Sequence, residues 1–157
     1  MMTPAVREAL GALGRLLVGA VLVYAGATKA AGPAEEFALI ISYYQLLPRD
    51  MIMSTAALLP WIEVFIGWAL ILGAFTRWAA LAAGGLFGFF VLALMSTIAR
   101  NIQLPNCGCF GDGVHFTVPQ ALAFDACMLA LCWFAFSAGR VRLSLDNWAD
   151  GGYTPRR

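Results

Sequence analysis

Apolar positions in this chain gather into four long runs, at about residues 10–30, 51–75, 78–98 and 118–137. Each is close to the ~20 residues a helix needs to cross the hydrocarbon core of a bilayer. None alternates as a barrel strand would, and lipid offers no partner to free backbone N–H and C=O groups, so the runs are predicted to be helices. Small residues at helical spacing, Gly11, Gly14, Gly19 and Ala20 in the first run and Ala83, Gly84, Gly85 and Gly88 in the third, are expected to let helix backbones approach closely. The expected fold class is an all-α integral membrane protein built as a four-helix bundle. Arg7 and Arg15 precede a run ending near Ala25-Gly26-Ala27, a pattern shared with signal peptides. The expectation is nevertheless a retained first helix.

A fifth, shorter element is expected between the first two spans. Gly32-Pro33-Ala34-Glu35-Glu36 reads as a helix start, with proline in the first turn and carboxylates near the positive end of the dipole. Phe37, Ile40, Ile41 and Tyr44 then fall at i, i+3, i+4 and i+7, giving one apolar face to lay in lipid or against the bundle. No repeat, low-complexity tract or separate soluble domain is visible. Residues 1–157 therefore read as a single membrane domain with a short tail at 140–157.

Composition agrees with lipid as the main solvent. The chain is 61% hydrophobic and 12% charged, with a mean hydropathy of +0.78, against about 25% charged in soluble domains. A formal net charge of +1 gives no footprint for nucleic acid. Seven of the ten basic residues (Arg7, Arg15, Arg77, Arg140, Arg142, Arg156, Arg157) fall on the side of the termini, against Lys29, Arg49 and Arg100 on the other. The expected setting is the bacterial inner membrane, across which the positive-inside rule orients this multi-pass protein. Both termini are expected in the cytoplasm and the two longer connections, 31–50 and 99–117, outside.

The second outer connection holds Asn106-Cys107-Gly108-Cys109-Phe110-Gly111-Asp112-Gly113. A disulfide across one residue closes a tight, strained and comparatively reducible ring. The flanking glycines permit its backbone angles and leave the sulfurs open to a partner's thiolate. Thiol–disulfide exchange is one reading; a passive turn or inert bond is another. A third is a metal site of Cys107, Cys109 and His115, with Asp112 as a fourth ligand, although structural zinc prefers wider spacing. Cys127 and Cys132 are about 140° apart around the fourth span and cannot pair. They read as packing residues.

Glu63 and Asp125 are the carboxylates well inside the runs, where an ionised side chain is expensive and requires a partner or a proton. Counting at 1.5 Å per residue puts them ~18 and ~10 Å below the outer ends, where they could share a polar pocket. Lys29 and Arg100 are the expected counter-charges, with Arg15 serving the opposite end. Pro60, just before Trp61 and Glu63, removes a backbone donor and predicts a local opening. A small cavity there, lined by aromatics among Trp61, Phe65, Trp68, Phe87, Phe89 and Phe90, would suit a quinone or another apolar ligand.

Several of these residues together carry a resemblance. Arg15 with Gly19, Tyr24-Ala25-Gly26-Ala27-Thr28-Lys29, Leu59-Pro60-Trp61-Ile62-Glu63 and Asn106-Cys107-Gly108-Cys109-Phe110-Gly111, in that order and spacing, resemble the MauE (methylamine-utilisation) branch of the DoxX-like membrane proteins. The resemblance implies a four-helix bundle engaged in disulfide formation or thiol redox outside the cytoplasm. It implies action beside a thioredoxin-like partner in maturing the disulfide-rich small subunit of methylamine dehydrogenase. It also implies Cys107 and Cys109 as the redox pair, with Lys29, Glu63 and Arg100 at recurrent polar positions. Similarity of architecture to the vitamin K epoxide reductase bundle suggests a quinone acceptor, but that enzyme uses a CxxC pair and this chain has none. Three functions stand side by side at this point: a thiol–disulfide oxidoreductase, a non-enzymatic assembly subunit contacting other membrane subunits, and a metal-handling protein.

Overall fold

The structure, a computed structural model, describes residues 4–102, 116–138 and 145–146. Five helices follow in order: α1 (Pro4–Ala31), α2 (Ala34–Tyr44), α3 (Arg49–Leu72), α4 (Thr76–Ala99) and α5 (Val118–Ala138). Four of them, α1 from Glu8, α3, α4 and α5 to Ser137, are long and apolar enough to cross a membrane. The protein is an all-helical, four-span membrane protein in which α2 is the short helix between the first two spans. Cys107, Cys109, Asp112 and His115 lie outside the described residues, as does most of the tail.

Helix ends follow local chemistry. The second span stops at Leu72, three residues short of the sequence expectation, because Gly73 takes a left-handed φ of 70° and Ala74 N–H closes back onto Ala69 O. Glycine adopts that conformation without a Cβ clash, which makes it the usual helix terminator. Gln45 caps α2 in the same region of φ, and Pro48 precedes α3.

The four spans form a ring in the order α1, α3, α4, α5, with α5 returning to α1 and α2 laid on α3. Apolar burial cannot drive helices together in lipid, so close backbone packing must. It is tightest between α1 and α3. A Cβ built on Gly67 would lie 2.7 Å from Gly19 O, and one on Gly19 would lie 2.8 Å from Gly67 O. About two turns further along, Gly26 sits against Pro60 O in the same way. Gly14 meets Leu131 of α5. Gly85 and Gly88, expected to pack, have no described atom near a Cβ, and Ala20 faces outward.

The interior is filled by Val18 and Leu22 of α1, Leu70 of α3, Phe87 of α4 and Met128 of α5. Large apolar side chains face the other way: Phe65, Trp78 and Leu92 are about 70% exposed, as expected where the outer solvent is lipid. Cys127 faces outward and Cys132 inward, consistent with their angular separation.

Candidate functional site

Beside Gly26 the missing side chain lets α3 approach until Glu63 Cβ would be 3.0 Å from a glycine Cβ. Lys29 is one turn further along α1. Helical side chains tilt toward the N-terminus of their own helix, so Lys29 reaches back down to the level of Gly26. There its ammonium donates to both Glu63 oxygens, at 2.7 and 2.8 Å. Glu63 is fully buried and Lys29 is 6% exposed. The rings of Phe37 from α2 and Phe90 from α4 lie 5.5 and 5.7 Å from the ammonium, adding cation–π attraction on two sides. Lys29 is also in the last turn of α1, where the helix dipole favours a cation. A charge pair without water around it needs this much compensation.

Asp125 of α5 comes to the Glu63 side of this pair. With Glu63, Phe87, Phe90 and Phe124 it lines a small space of about 10 Å³, at the lower limit for one water molecule. The two intramembrane carboxylates thus do share a small pocket. Arg100 is not part of it. Its guanidinium donates to the carbonyls of Tyr44 and Gln45, fastening the C-terminal end of α2, whose orphan carbonyls attract a cation. Of the two expected counter-charges, Lys29 holds the carboxylate and Arg100 holds a helix end.

On the other side of Lys29 lies a larger cavity of about 80 Å³. The whole predicted apolar face of α2, Phe37, Ile40, Ile41 and Tyr44, forms its roof, so that face meets the bundle rather than lipid. Leu59 of α3 and Phe89, Phe90 and Ala93 of α4 form the walls. Among the aromatics expected around such a space, Phe89 and Phe90 line it and Phe87 lines the small pocket. Trp61, Phe65 and Trp68 are 49–71% exposed and face away from the bundle. Pro60 is buried inside an uninterrupted α3, its carbonyl against Gly26.

Sequence reasoning missed one polar contact at the opposite end. Phe75 stands in the N-cap position of α4 with φ of 48° and no capping side chain. Asp146, from the segment after α5, supplies the cap: its carboxylate accepts from Phe75 N–H at 2.7 Å and Thr76 N–H at 2.8 Å, while its own N–H donates to Gly73 O. Arg15, buried in α1, interacts electrostatically with Asp146. The available signal was an absence, since Ala74-Phe75-Thr76 provides α4 with no cap at the expected position.

Comparison with known proteins adds what geometry does not. The model of the family described as "Methylamine utilisation protein MauE" matches residues 7–138. Three curated relatives, each named methylamine utilization protein MauE, match. The protein of Methylophilus methylotrophus is 33% identical over 48% of this chain and 40% of its own length. That of Methylorubrum extorquens is 30% identical over 66% and 55%, and that of Paracoccus denitrificans is 28% identical over 84% and 73%. The chain thus spans about half the length of the first two relatives. No solved structure matches it.

Proposed function

Starting from the fact that the chain belongs to the MauE family of membrane proteins, we propose that it serves methylamine utilisation as a membrane thiol–disulfide exchange protein. Cys107 and Cys109 are its redox pair. A thiolate on an extracytoplasmic, thioredoxin-like partner attacks one sulfur of the Cys107–Cys109 disulfide. The second partner thiol resolves the mixed disulfide, leaving the partner oxidised and Cys107 and Cys109 as a dithiol. Two electrons and two protons have then moved onto this chain. The observation that carries the reading is Cys107-Gly108-Cys109 itself, a pair separated by one glycine in the connection between α4 and α5 of a chain matched to this family.

In this reading residues 1–157 are one membrane domain of the bacterial inner membrane. Both termini and the 140–157 tail are cytoplasmic, and the 99–117 connection is outside. Lys29, Glu63 and Asp125 are the supporting polar groups inside the bundle that holds that connection. Differential thiol labelling in intact cells, titrated with a thiol/disulfide buffer, tests the proposal. The expected result is a reversible disulfide with a potential above about −300 mV, the approximate limit below which structural bonds lie. Cys107→Ser/Cys109→Ser should abolish exchange while the bundle still inserts. Thiols that never oxidise, or a double variant with full activity, would favour an assembly subunit instead; bound metal lost with His115→Ala would favour metal handling.

A further inference from the structure

The exchange cycle proposed above ends with two electrons and two protons on the chain, and the cavity beneath α2 has the chemistry of a site for their acceptor. We propose that this cavity binds a lipid-borne quinone, with a ring carbonyl on the Lys29 ammonium. The assignment rests on the exchange reading for its role, but not for the binding itself.

Four observations select the ligand class. The first is charge. Lys29, in the cavity lining, is neutralised by its ion pair with Glu63, so a charged ligand would bring an uncompensated charge into a water-poor site. The ligand is therefore neutral. The second is the available donor. An ammonium has three N–H bonds, and two go to the Glu63 oxygens. One is left for an oxygen acceptor such as a carbonyl.

The third observation is shape. Phe37, Phe89, Phe90 and Tyr44 present aromatic rings to a space of about 80 Å³. That holds roughly six water-sized volumes, the scale of one substituted ring rather than a folded acyl chain. Planar aromatic walls also favour a planar guest. The fourth is access. Phe89 lines the cavity and is 51% exposed. It lies ten residues, or ~15 Å, below the end of α4, so the mouth opens at membrane depth. A guest arriving there comes from lipid, and its tail can stay in lipid.

The position also suits the role. Tyr44 and Leu94 belong both to the cavity lining and to the cluster that seats Phe116 and Ala121 at the head of α5. The connection bearing Cys107 and Cys109 joins α5 at that same end. In the complete step the dithiol loses two electrons and two protons to form the disulfide, and the quinone gains both to become quinol.

The test uses the full chain in phosphatidylcholine nanodiscs and decylubiquinone as probe, with decylbenzene as a carbonyl-free control. One saturable decylubiquinone site per protomer is expected. Ala93→Phe, which fills the cavity from α4, should weaken it at least about tenfold. Lys29→Met/Glu63→Leu removes the donor and its counter-charge together, and should weaken decylubiquinone about tenfold while leaving decylbenzene unchanged. A photoreactive azidoquinone on the wild-type chain supplies a readout that does not depend on how either variant folds. Labelling of peptides containing Phe37, Leu59 or Phe90 supports the site. Labelling elsewhere, no saturable binding above lipid, a co-purified phospholipid that decylubiquinone does not displace, or folded variants with unchanged affinity would overturn it. Cys107→Ser/Cys109→Ser should bind decylubiquinone as the wild type does. Loss of exchange with retained binding then separates the two proposals, and retained exchange without binding points to another acceptor.

Discussion

At the scale of single residues, the decisive feature is that Lys29 and Glu63 occupy one hydrogen-bonded unit with almost no solvent. Removing one partner leaves the other charge stranded in a low-dielectric interior, whereas removing both exchanges an ion pair for apolar packing. Glu63→Leu alone is therefore expected to cost about 3–5 kcal/mol, and Lys29→Met/Glu63→Leu close to nothing. Thermal unfolding in one detergent checks the difference between the two variants. The sequence marked both residues because intramembrane charge needs a reason. It offered Glu63 two basic partners and could not choose between them. The choice follows from Gly26, which brings α3 close beneath Lys29, while Arg100 finds the carbonyls that end α2.

At the scale of elements, helix type and number follow from hydropathy, but which glycines matter follows from which face each helix turns inward. Gly67→Ala would place a methyl within 2.7 Å of a backbone oxygen that cannot swing aside. It is expected to destabilise α1 against α3 by about 1–3 kcal/mol. Gly85→Ala meets nothing within 4 Å and should leave the melting temperature unchanged or slightly raised. In the amino-acid pattern the two glycines look alike.

The same scale explains α4. Its first N–H groups face Asp146 from seventy residues away in the chain, so no local rule could have found the cap. Asp146→Ala should destabilise by about 1–2 kcal/mol, and hydrogen exchange should rise first at Phe75 and Thr76. The amphipathic α2 was legible in the spacing of Phe37, Ile40, Ile41 and Tyr44. Whether that face meets lipid or protein was not, because periodicity fixes a direction around the helix and leaves its neighbour open.

For the whole molecule, the ring order α1, α3, α4, α5 places Lys29, α2, the end of α4 and the start of α5 at one end, with Arg15, Gly73 and Asp146 at the other. The distribution of basic residues predicts that the Arg15 end faces the cytoplasm. Single cysteines introduced at Gln45 and Ser137, in a chain freed of its own four, should react with a membrane-impermeant maleimide in intact spheroplasts at Gln45 and only after lysis at Ser137. The reverse pattern would invert the topology and put Cys107 and Cys109 on the cytoplasmic side, against the exchange reading.

The sequence by itself determined the solvent, the number of spans, the short fifth helix and the residues that carry charge into lipid. These follow from the transfer free energy of side chains and from backbone hydrogen bonding, both properties of local stretches. It also singled out Cys107 and Cys109. Only the tertiary structure decided that Lys29 rather than Arg100 neutralises Glu63, that Asp125 shares its pocket, that α2 roofs a cavity and that Asp146 closes α4. Each of these depends on groups distant in the chain meeting within about 3–6 Å. That proximity is set by how helices turn and approach, which one-dimensional spacing does not encode.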